Sequence, residues 1–81
     1  MKLKDFMKFH AKDFNYEILL RRIDQKGEKI HLDYADSFES PWERYFEEYF
    51  NWEVNYFKIE VVDSKICLVI YIKFPKNERG L

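Results

Sequence analysis

A chain of 81 residues suffices for one domain with one modest core. Its 47% hydrophobic content, with only two glycines and two prolines, excludes a disordered or low-complexity protein, and its single cysteine excludes an internal disulfide. The net charge of −1 is unevenly spread: +3 over residues 1–32, −6 over 33–53 and +2 over 54–81, which disfavours nucleic-acid binding by the middle segment.

In chain order, residues 2–11 read as a first helix. Leu3, Phe6, Met7 and His10 fall on one side, and Lys4, Lys8 and Lys12 on another. Phe14, Tyr16, Ile18 and Leu20 then alternate with other residues as in a strand. Asp24-Gln25-Lys26-Gly27 reads as a turn in which glycine supplies the positive φ of a bulged hairpin. Ile30, Leu32 and Tyr34 form the return strand, and residues 36–39 lead into the next element.

Ser40 to Trp52 carries the strongest pattern in the chain. Ser40 suits an N-cap, Pro41 the first helical position, and Glu43 completes an S-x-x-E capping box. Trp42, Tyr45, Phe46, Tyr49 and Phe50 recur at helical spacing, opposite Glu43, Arg44, Glu47, Glu48 and Asn51. The pattern predicts an amphipathic helix with an aromatic face for the core and an acidic face outward, since aromatic rings bury much area with few rotatable bonds.

Beyond it, Trp52, Val54 and Tyr56 alternate, and the apolar phase then shifts to Phe57, Ile59 and Val61. A one-residue shift turns side chains to the other sheet face, so a β-bulge is expected near Tyr56-Phe57, or a strand covered on both faces. Asp63-Ser64-Lys65 is a tight turn. Ile66 to Ile72 is continuously apolar and reads as a central strand. Residues 75–81 read as a frayed tail. The expected fold is α+β: a single domain over residues 1–81, ordered α-β-β-α-β-β, with a four-stranded, mostly antiparallel sheet packed by two helices.

Chemistry is sparse. His31 and Asp33 are two possible ligands on one side of a strand, which is too few for zinc, and His10 stands apart. Cys67 lies in the most apolar strand and reads as a buried hydrophobe, not a nucleophile. Glu43, Glu47 and Glu48 lack the burial that would separate their pKa values for acid–base work. No glycine-rich phosphate loop is present, and the aromatics lie among acids, unlike a single-strand stacking surface. No enzyme, metal or cofactor is expected. Lys2 and Lys4 are not followed by the apolar stretch of a signal peptide, and the run Ile66–Ile72 is too short to span a bilayer, so a cytoplasmic protein is expected.

The layout resembles a set of short proteins of unknown function encoded by phages and mobile elements of Firmicutes. The resembling parts are Met1-Lys2-Leu3-Lys4-Asp5-Phe6-Met7, Tyr16-Glu17-Ile18, the Gly27 hairpin, Trp52-Glu53-Val54 and Leu68-Val69-Ile70-Tyr71-Ile72. The acidic, aromatic helix departs from that pattern. The resemblance implies an α+β fold, a phage or mobile-element setting and no catalytic residues. By analogy of context it implies an inhibitor of a host protein, anti-CRISPR proteins being among those of this size and setting.

The functional expectation is thus a non-enzymatic protein that binds and inhibits a basic host protein, a CRISPR nuclease being one such target. Glu39, Glu43, Glu47 and Glu48 would complement its lysines and arginines, with Trp42 and Tyr45 as anchors. The alternative is a self-associating module that pairs exposed strand edges into a homodimer. A weaker third reading is nucleic-acid binding through Lys4, Lys8, Lys12, Arg21 and Arg22.

Overall fold

The computed structural model describes residues 1–10, 16–35 and 42–74. It is a small single-domain α+β fold with one helix and a four-stranded mixed sheet. The elements are helix α1 (Leu3–His10) and strands β1 (Glu17–Ile23), β2 (Lys29–Ala35), β3 (Glu53–Val62) and β4 (Lys65–Lys73). Helix α1 forms as its spacing predicts, with Leu3, Phe6 and Met7 buried and Lys4 and Lys8 exposed. Its first N–H groups find backbone acceptors: Leu3 N donates to the Trp52 carbonyl at 2.8 Å and Lys4 N to that of Phe50 at 3.2 Å.

The sheet order is β2-β1-β4-β3. Two antiparallel hairpins, β1–β2 and β3–β4, are joined by a parallel seam in which Glu17 to Arg21 run beside Cys67 to Tyr71. The expected mostly antiparallel sheet is thus mixed, and its parallel pair lies at the centre, where both faces are covered best. This is why β4 is apolar without alternation: Cys67 to Ile72 are all buried.

The two hairpin turns follow from local chemistry. Gly27 adopts φ 85°, and the Asp24 side chain accepts the N–H groups of Lys26 and Glu28 at 2.9 Å each. Between β3 and β4, Asp63 (φ 53°) and Ser64 (φ 67°) are both left-handed, the two-residue turn whose twist matches a hairpin. The bulge foreseen near Tyr56-Phe57 occurs one residue earlier. Val54 pairs with Ile72 and Tyr56 with Tyr71, leaving Asn55 as the extra residue.

The main core lies on one sheet face. Leu3, Phe6, Met7 and Phe46 pack on Ile18, Leu20, Ala35, Leu68, Ile70 and Ile72, with Leu32, Tyr49, Phe50, Trp52 and Val54 at its rim. At about 1.5–3 kcal/mol per fully buried aliphatic or aromatic side chain, this cluster is the chief stabilising element. On the opposite face Leu19, Cys67, Val69 and Tyr71 form a smaller cluster with Tyr34 and Val62. There the Tyr71 ring stacks on Tyr56 at 4.5 Å, and its hydroxyl accepts a long 3.4 Å bond from Arg21.

The second helix is not formed as expected. Trp42–Tyr45 is a single α-helical turn, and Glu47–Tyr49 continues as a 3₁₀ turn. Tyr49 N, Phe50 N and Trp52 N each donate to the carbonyl three residues back, the tighter pattern. Phe46, at φ −105° and ψ 10°, interrupts the two turns. Aromatic side chains lose χ1 freedom in an α-helix, so this run has weak intrinsic support. Its carbonyls at Phe50 and Trp52 are in turn taken by α1. Ser40 and Pro41 lie outside the described residues, as do residues 75–81.

Candidate interaction surfaces

The aromatic segment divides its residues sharply. Phe46 is fully buried and anchors the segment to the sheet, whereas Tyr49, Phe50 and Trp52 are half-buried. Trp52 meets Tyr49 edge-on at 5.2 Å and Phe74 at 4.2 Å. Tyr45, Glu47 and Glu48 point outward and are exposed. Burial pushes the Tyr49 hydroxyl above its ordinary pKa, and the charges of Glu48 and Asp33 add to the shift. Asp33 on β2 therefore shares the negative field of this segment. Glu39 lies outside the described residues, and nothing is described of the Trp42 and Glu43 side chains. Of the six residues singled out, Tyr45, Glu47 and Glu48 are thus described as exposed on this segment.

The basic residues do not share a surface. Lys4 and Lys8 lie on α1, and Lys12 is outside the described residues. Arg21 and Arg22 are consecutive on β1 and so point to opposite sheet faces, Arg21 toward Tyr71.

His31 and Asp33 are not on one side of the strand. Arg21 pairs with His31 but Leu20 with Asp33, so an extra residue, Leu32, turns the two apart. Among the described residues no group of three His, Cys, Asp or Glu side chains could hold a metal ion. Cys67 is buried, and its thiol donates to the Lys65 carbonyl at 3.7 Å. Burial raises its pKa, and the Glu17 charge adds to this, so the thiolate needed for nucleophilic chemistry is disfavoured. A shallow cavity of about 260 Å³ opens at the Asn55 bulge, lined by Met1, Phe6, Val54, Tyr56 and Phe57, and has no titratable acid–base pair. Among the described residues no helix is long and apolar enough to cross a membrane.

The most unusual surface lies on β3. This ten-residue strand is at the edge of the sheet. Phe57, Ile59 and Val61 project on the α1 side yet remain 50%, 49% and 72% exposed, and Ile66, opposite Val61 on β4, is 49% exposed. Phe57 is partly covered by the Phe6 ring at 5.0 Å, and Val61 is the most exposed of the row. On the other face Lys58 Nζ lies 3.2 Å from Glu60 Oε2, and this carboxylate holds the Lys58 ammonium above its ordinary pKa. Glu60 Oε2 is shielded from water and has the Lys58 ammonium as its ion-pair partner.

Among the described residues the backbone of this edge is unpaired over its second half as well. In a two-residue hairpin the flanking residues, Val62 and Lys65, form a hydrogen-bonded pair, and such pairs recur at every second residue. Glu60, Lys58 and Tyr56 therefore direct N–H and C=O toward β4, whereas Phe57, Ile59 and Val61 direct theirs outward. Among the described residues, residues 1–2 cover the start of the edge, through a Lys2–Glu53 bridge and the Val54 N–H to Met1 carbonyl bond of 2.8 Å. The sequence shows the alternation at Phe57, Ile59 and Val61, which fits a bulged strand or one covered on both faces and does not say whether this row is exposed. The signal that decides this is the sheet order, which no local pattern carries. Set beside known proteins, the chain matches no family model, no curated protein and no solved structure.

Proposed function

We propose that this chain is a protein-binding module that works by docking, not catalysis, and that its principal docking surface is the β3 edge. The observation that carries the reading is the coincidence of three exposed apolar side chains with three outward-facing backbone pairs at Phe57, Ile59 and Val61. Long, apolar, unpaired edges are usually blunted or covered in stable proteins, because they template further strand pairing. Main-chain hydrogen bonds then give affinity and the alternate side chains give selectivity.

A second reading is favoured by the joint exposure of Tyr45, Glu47 and Glu48 beside Asp33. It makes this acidic segment the contact for a basic surface of a host protein, which the chain would inhibit in the host cytoplasm. The resemblance to phage and mobile-element proteins motivates it, a CRISPR nuclease being one target of suitable charge.

Affinity capture separates the two. The bait is the tagged chain, and the lysate also contains untagged chain. Loss of captured protein with Ile59→Arg alone supports the edge. Loss with the combined Glu43→Lys, Glu47→Lys and Glu48→Lys variant alone supports the acidic segment. Retention by both folded variants refutes both readings.

A further inference from the structure

We infer that the occupant of the β3 edge is a second copy of this chain, paired antiparallel about a two-fold axis at Ile59. The inference rests on reading that edge as a docking surface and adds the partner and its register. Two edges related by such an axis place residue i opposite residue j with a constant sum. With Ile59 opposite Ile59, Phe57 faces the partner's Val61, and Val61 faces the partner's Phe57. All three outward-facing residues are then matched, and their three N–H groups per copy make six hydrogen bonds in all.

Charge selects the same register. On the opposite face Lys58 meets the partner's Glu60, and Glu60 meets the partner's Lys58. These positions are non-hydrogen-bonded across the interface, where strands bring side chains closest. The partner's Lys58 would also give the shielded Glu60 oxygen a further cation. A pairing centred on Lys58 sets lysine against lysine, and one centred on Glu60 sets glutamate against glutamate; both also leave an outward apolar residue unmatched. The edge is thus complementary to itself in one register. The product is a closed, continuous eight-stranded sheet, β2-β1-β4-β3 in each copy, with the apolar row running unbroken across the axis.

Sedimentation velocity on the purified chain tests this, with circular dichroism as the fold control. Wild type is expected to form a dimer. Lys58→Glu and Glu60→Lys each place like charges opposite one another twice, and each should weaken association about tenfold or more at low salt. The Lys58→Glu/Glu60→Lys double variant should restore it. So should an equimolar mixture of the two single variants, although each chain still carries its own like-charged neighbours. Recovery in the mixture requires these side chains to meet across copies, and recovery in the double variant as well requires position 58 to face position 60, since 58 facing 58 would oppose like charges. A wild-type chain monomeric at high concentration would overturn the second copy as occupant, leaving the edge to a different protein. A dimer that neither the double variant nor the mixture restores would overturn the register. A dimer unaffected by Ile59→Arg would overturn the edge as a docking surface altogether.

Discussion

Phe46 is the one fully buried side chain described in the acidic segment, and Phe46→Ala measures how much of the fold depends on it. Its side chain is fully buried among the α1 and sheet residues, while the adjacent Tyr45 is about half exposed. A buried phenylalanine removes on the order of 200 Å² from water, about 5 kcal/mol at 25 cal/mol per Å². Truncation to alanine in well-packed sites costs about 3–5 kcal/mol once the residual cavity is included. An 81-residue chain has roughly 4–12 kcal/mol of stability in total, so this one change should remove about a quarter of it or more. Urea unfolding followed by tryptophan fluorescence is the assay, since half-buried Trp52 reports on this segment. With a slope of roughly 1–2 kcal/mol per molar, the midpoint should fall by about 2 M or more. Tyr45→Ala should cost less than about 1 kcal/mol, as a half-exposed position. A Phe46→Ala variant that loses no more than Tyr45→Ala would refute the reasoning, because the segment would then owe its position to something other than this ring.

Three further outcomes are expected. Gly27→Ala should lower stability by about 1 kcal/mol in thermal melts, because the backbone there is left-handed; nothing lies within 4 Å of an added Cβ, so strain alone is measured. Ser64→Gly should raise the melting temperature by a few degrees, since glycine accepts the φ of 67° without strain and Asp-Gly suits this turn; an unchanged or lower value would count against the turn assignment. Stability should fall at alkaline pH. The pKa values of Cys67 and Tyr49 are raised by burial, so the unfolded chain releases these protons first; stabilisation is complete below the ordinary thiol range and is lost as pH rises through it. Urea midpoints at pH 7 and pH 10 check this, and the drop should shrink in Cys67→Ala.

What was legible in the sequence was local. Leu3, Phe6 and Met7 announced α1 because one turn of helix aligns them, and the run Ile66–Ile72 announced a doubly covered strand. Gly27 and Asp63-Ser64 announced their turns because few residues tolerate such φ values. The aromatic segment misled because helical spacing is satisfied just as well by one buried ring with neighbours at the rim. A single residue, Leu32, undid the pairing of His31 with Asp33, and bulges of this kind leave no clear mark in composition. Phe57, Ile59 and Val61 alternate as a buried strand would. Their exposure follows from the position of β3 in the sheet, which depends on contacts made far away in the chain.

The parallel seam also governs how the chain reaches this structure. Each hairpin closes over a short turn, but Arg21 meets Tyr71 fifty residues away. Closing a flexible loop of that length costs about 3.5 kcal/mol of chain entropy, from (3/2)RT ln n, and nothing local offsets it until the seam has zipped. Folding should therefore run through two preformed hairpins whose docking limits the rate, placing the chain among slower folders of its size. Until they dock, the inner edge of β4 is bare as well. Apolar strand that the native sheet hides is then briefly available to any neighbouring chain, so the yield of refolding should fall as protein concentration rises.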